Sequence, residues 1–88
     1  MSVSASVLVF CARDAEAFSE AAALARDVGA RFIDKLSSDI SELQLVVRYK
    51  VVEPVVVLVL AGSTVVARIP RLVSADELRM TMAWLGRG

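Results

Sequence analysis

The sequence predicts an α/β fold in which a mixed four-stranded sheet lies between helical layers, with elements in the order β-α-β-α-β-β-α. Two apolar runs, Val7-Leu8-Val9-Phe10 and Val55-Val56-Val57-Leu58-Val59-Leu60, are rich in β-branched residues and read as strands buried on both faces. Around them the apolar period changes to three and four, the spacing of helices. The turn Ala61-Gly62-Ser63 after the second run leads straight into another strand-like segment, so the last two strands form a hairpin.

The first strand is predicted over residues 3–11 and ends at Cys11. A helix then runs from near Asp14 to Gly29, with Asp14 as its cap and Phe18, Ala21, Ala22, Ala25 and Val28 as its apolar stripe. Alanine on that stripe lets the helix lie close to a sheet. Residues 30–36, centred on Phe32-Ile33, form a short strand that Ser37-Ser38-Asp39 interrupts. Asp39 and Glu42 resemble a capping pair for a second helix, which reaches about Tyr49 and turns Leu43, Val46 and Val47 inward. Pro54 opens the strand at 55–60, Gly62 supplies the positive φ of the hairpin turn, and the partner strand at 64–69 stops at Pro70. Ser74 and Glu77 have the S-x-x-E spacing of a capping box, ahead of a helix with Leu78, Thr81, Met82 and Leu85 on one side. Gly86 and Gly88 let its end fray.

Eighty-eight residues predict a single domain spanning 1–88, with an apolar fraction of 57% supplied by Val, Leu and Ala. Ten basic and ten acidic side chains cancel, which leaves no electrostatic footprint for nucleic acid. The first residues lack the basic start of a signal peptide, and no apolar run approaches the ~20 residues that span a bilayer. Together with a single cysteine this predicts a cytoplasmic location and no membrane partner. The chain has no histidine, so the common general base and the common metal ligand are both missing, and neither a metal nor another cofactor is expected.

The order of elements resembles the thioredoxin/glutaredoxin superfamily over nearly the whole chain, in its three-layer fold. Val7-Leu8-Val9-Phe10 is similar to the family's first core strand and Arg48-Tyr49-Lys50-Val51 to the end of its second helix. Glu53-Pro54 resembles the X-Pro pair whose proline is cis in that family, although it sits one residue closer to Tyr49 than usual. Leu60-Ala61-Gly62-Ser63-Thr64-Val65 resembles the hairpin, and Ser74-Ala75-Asp76-Glu77-Leu78 the start of the last helix. The family's Cys-x-x-Cys motif is missing, since its positions fall near Ala15 and Phe18. Arg71 stands near a position where the family usually has glycine, and Asp76 weakly resembles a glutathione-binding position.

The resemblance implies a redox-inactive thioredoxin-like domain acting as a protein-binding module. Its binding face would comprise Arg13, Asp14, Glu53, Pro54 and Arg71, brought together from three loops. Glu53 would pair with Arg13, read a partner's amide, or simply be exposed in a turn. Arg68 and Arg71 would be solvated or bridge an anion. The alternative is a monothiol or glutathione-linked redox protein working through Cys11, which requires an exposed thiolate near a cation such as Arg13. Otherwise Cys11 is a small buried hydrophobe. A homo-oligomer formed through the Val-rich edge or the helices is compatible with the first reading.

Overall fold

The computed structural model describes residues 5–85. The expected strand start at Val3 and the fraying glycines Gly86 and Gly88 lie outside the described residues. The elements are β1 (Ala5–Cys11), α1 (Phe18–Val28), β2 (Arg31–Asp34), α2 (Ile40–Arg48), β3 (Val55–Ala61), β4 (Thr64–Ile69) and α3 (Ala75–Leu85). The sheet order is β2-β1-β3-β4. β1 and β2 are parallel, from Leu8 opposite Arg31 to Cys11 opposite Asp34. β3 runs antiparallel to β1, from Val55 opposite Cys11 to Ala61 opposite Ala5. β4 pairs antiparallel with the other side of β3, with a register shift between Val59 and Leu60.

The two-residue period of β1 and β3 divides the core. Val7, Val9, Cys11, Val55, Val57 and Val59 point to one face, where Ala21, Leu24 and Ala25 of α1 and Leu78 of α3 cover them. Phe10, Val56, Leu58 and Leu60 point to the other, together with Ile33 and Val51, and Leu45, Val46 and Tyr49 of the α2 segment pack there. Six consecutive residues of β3 are therefore buried, each side chain contributing about 1.5–3 kcal/mol of transfer free energy. This explains why the strand reads as an unbroken apolar run. No described helix is long and apolar enough to cross a membrane.

Helix ends follow local chemistry in three cases and depart from it in a fourth. α1 closes with Gly29 at φ 70°, its N–H on the Arg26 carbonyl and the Ala30 N–H on Ala25 O, an arrangement that needs a left-handed residue. Asp39 caps α2 by accepting from Ser41 N. Ser74 caps α3 by accepting from Glu77 N at 3.1 Å. Neither glutamate completes a reciprocal box, because Glu42 instead accepts from Asp34 N and Glu77 pairs with Arg71. α1 begins at Phe18 rather than near Asp14. Two successive turns, Ala15 N to Ala12 O and Phe18 N to Ala15 O, take up the intervening chain, so Asp14 caps nothing and Ala17 opens the helix without a side-chain bond.

α2 corrects a second expectation. Leu45, Val46 and Tyr49 face the sheet, whereas Leu43 and Val47 are exposed. The helix lies across the strands: Glu42 near its start contacts the end of β2, and Arg68 of β4 donates to the Tyr49 and Lys50 carbonyls at its finish. That crossing selects a different stripe from the one its apolar spacing suggested.

Candidate functional site

The end of the sheet where β1 stops and β3 begins gathers most of the residues singled out from the sequence. The Ala12 N–H donates to the Pro54 carbonyl at 3.2 Å, extending the β1–β3 ladder one step past Cys11 and Val55. The loop carrying Arg13 and Asp14 is thus fixed beside Glu53-Pro54. β4 ends with Ile69 opposite Val57, so Arg71 emerges at the same end of the sheet.

The peptide bond before Pro54 is trans, as all described bonds are, and this corrects the cis expectation. In this geometry the Pro54 carbonyl points at Ala12 N and continues the ladder. The neighbouring backbone is also occupied within the chain. Val52 N–H donates to the Glu53 carboxylate, and the Lys35 ammonium donates to Glu53 O. A partner strand cannot add to these groups without displacing those bonds.

The charged residues pair in a pattern the sequence did not indicate. Arg13 contacts Asp34 through Nε at 2.8 Å and Nη2 at 2.7 Å. Burial works against the Asp34 carboxylate, but the Leu36 N–H and the Arg13 guanidinium outweigh it and hold its pKa below the ordinary value. Glu53 pairs with Arg68, not Arg13, at 2.8 Å. Its own N–H, the Val52 N–H and Arg68 lower its pKa against partial desolvation. Arg71 pairs with Glu77 at 2.8 Å, and Asp76 lies 3.6 Å from Arg79. Arg68 and Arg71 thus engage different carboxylates of the chain, and no hydrogen bond or ion pair joins Arg71 to Arg13, Asp14 or Glu53.

Cys11 is fully buried in the α1/α3 face of the core. Burial raises its pKa, with the Asp34 and Asp14 carboxylates adding to the rise and Lys35 opposing it. Its Sγ contacts the Ala12 carbonyl at 3.6 Å. The thiol is inaccessible and its environment disfavours the thiolate, the condition opposite to that of a reactive cysteine.

Sequence reasoning missed Asp34 and Lys35, the exposed apolar residues Leu36 and Val52 beside them, and the contacts of Arg68, which it read as solvated or bridging an anion. The signal for Asp34-Lys35 was available, since a charged pair ending a strand parallel to β1 must lie next to the end of β1. Arg68 had no such signal, because its reach to α2 depends on the crossing of that helix.

No protein-family model matches the sequence. No curated protein matches it. Two solved structures are similar. One, thioredoxin-2, described as a component of the malaria parasite's protein secretion machinery, matches at TM-score 0.68 and 22% identity over 96% of this chain and 85% of that one. The other, described as a malarial protein, matches at TM-score 0.63 and 20% identity over 92% of this chain and 96% of that one. These likenesses show a thioredoxin-like fold.

Proposed function

We propose that this chain is a thioredoxin-like domain that binds a protein segment in the cytoplasm and carries out no thiol–disulfide exchange. The observation that carries this reading is the state of Cys11. The sequence's single cysteine is buried with its pKa raised, and it has no second cysteine to resolve a mixed disulfide. The end of the sheet above it presents Leu36, Val52 and Pro54 to solvent, with Arg13 and Asp14 exposed nearby. Apolar contact ringed by charge suits protein recognition, in which the apolar part supplies affinity and the rim fixes orientation. Loops held by a rigid sheet commonly carry binding.

Because the Glu53 backbone is occupied, the recognition mode we favour is side-chain docking onto Val52, Leu36 and Pro54 rather than strand addition. Arg71, turned toward Glu77, takes a peripheral place in this proposal. The monothiol alternative needs an exposed thiolate, which the burial of Cys11 opposes.

The test is affinity capture from a native lysate with Val52→Asp and Arg13→Glu, beside the opposite-end control Arg26→Glu. Loss of the same captured proteins in both loop variants, with the control unaffected, supports the face. Retention of every partner by both folded loop variants, or equal loss in the control, overturns it.

A further inference from the structure

We propose that the outer face of α2 is a self-association surface, on which a second copy of this chain packs its own α2 antiparallel about a two-fold axis. The inner face of α2 already covers the sheet through Leu45, Val46 and Tyr49. The helix nevertheless carries a second apolar stripe on its opposite side. Ile40, Leu43 and Val47 recur at spacings of three and four, and they are 71%, 39% and 76% exposed. A helix lying over a sheet needs one apolar face only, so the fold does not account for the second.

The stripe is close to a palindrome. Ile40, Leu43, Gln44 and Val47 place a β-branched residue at each end and Leu43 with Gln44 at the centre. Antiparallel pairing about that centre sets each Ile40 against the second copy's Val47 and brings both Leu43 side chains to the middle. This is the self-complementary geometry of a two-fold interface. The stripe itself has no charge.

The charges at the helix ends choose the direction. Asp39 lies exposed at the amino end of α2, and Arg48 and Lys50 lie exposed at its carboxyl end; Glu42 is turned inward to the Asp34 N–H and takes no part. An antiparallel partner brings the acidic end of each helix to the level of the basic end of the other and aligns the helix dipoles favourably. A parallel partner would set like against like. The patch is only nine helical residues long, at the low end of specific interfaces, so the association is reversible and concentration-dependent. It does not depend on the loop face proposed above.

Sedimentation equilibrium of the full chain from about 5 µM to about 1 mM tests this. The average mass is expected to rise from 9.5 kDa toward twice that value. Val47→Glu and Ile40→Lys should each remain monomeric, with folding checked by circular dichroism. Mixing these two variants should restore the dimer, because the antiparallel register sets the introduced anion against the introduced cation. Arg13→Glu should dimerise like the parent. A monomer mass at every concentration overturns the proposal, as does a dimer that Val47→Glu leaves intact. Failure of the mixture to recover overturns the antiparallel register.

Discussion

Arg68 and Glu53 meet at 2.8 Å, and the same guanidinium donates to the Tyr49 carbonyl at 3.0 Å and the Lys50 carbonyl at 3.2 Å. One side chain on the edge strand thus closes the carboxyl end of α2 and holds the turn before β3. Lys50 needs that support, since it takes a left-handed conformation at φ 51° without being glycine. Arg68→Ala should lower unfolding free energy by about 1–2 kcal/mol by leaving the helix-end carbonyls to water. Arg68→Lys should recover only part of this, because an ammonium cannot fork among three acceptors. Urea denaturation of the three proteins measures it, and equal midpoints for Arg68→Ala and the parent would count against the clamp.

The buried half of the sheet should be far more sensitive than its edge. Leu58 is fully buried at the centre of β3, whereas Val66 on β4 is 42% exposed. Leu58→Ala is expected to cost about 2–5 kcal/mol and Val66→Ala less than about 1 kcal/mol. Thermal unfolding distinguishes them, and comparable losses would mean that β4 is covered by something beyond this chain.

Acid should destabilise the fold through a small set of carboxylates. Asp34, Glu53 and Asp39 all have folded pKa values below their ordinary ones, Asp39 through the Ser41 hydroxyl and N–H. A depressed folded pKa means that the unfolded chain takes up protons first as pH falls. Their contribution is therefore complete above about pH 5 and is lost as pH falls through about 4 toward the lower folded values. The urea midpoint should be lower at pH 3 than at pH 6, and Asp34→Asn should flatten part of that slope. A midpoint independent of pH across this range would contradict the pairing.

Much of the fold was legible because its strongest signals are local. The runs at β1 and β3, the hairpin at Gly62 and the caps at Asp39 and Ser74 each depend on neighbouring residues alone. The start of α1 was misread because Asp14 has the right chemistry for a cap, but the Ala12–Pro54 ladder bond sends the chain through two turns before the helix begins. The inward stripe of α2 was misread because two apolar faces compete on one short helix and its crossing angle decides between them. In the candidate site, Arg13, Glu53 and Pro54 were singled out by position in the chain. Their partners, Asp34 and Arg68, are 21 and 15 residues away and became visible only once the strands were in register.

Cys11 should behave as a core residue in solution. Its burial and raised pKa predict labelling by a thiol reagent at least about 100-fold slower in the native protein than in denaturant. Rapid native labelling would mean that the first turn after β1 opens readily.

The most direct test of the central claim is insulin-disulfide reduction by dithiothreitol, measured with the parent protein, with Cys11→Ala and with a dithiol thioredoxin as reference. The fold without a second cysteine and with a buried first one predicts that parent and variant both give the rate of dithiothreitol alone. A catalysed rate approaching that of the dithiol thioredoxin, and abolished by Cys11→Ala, would contradict it.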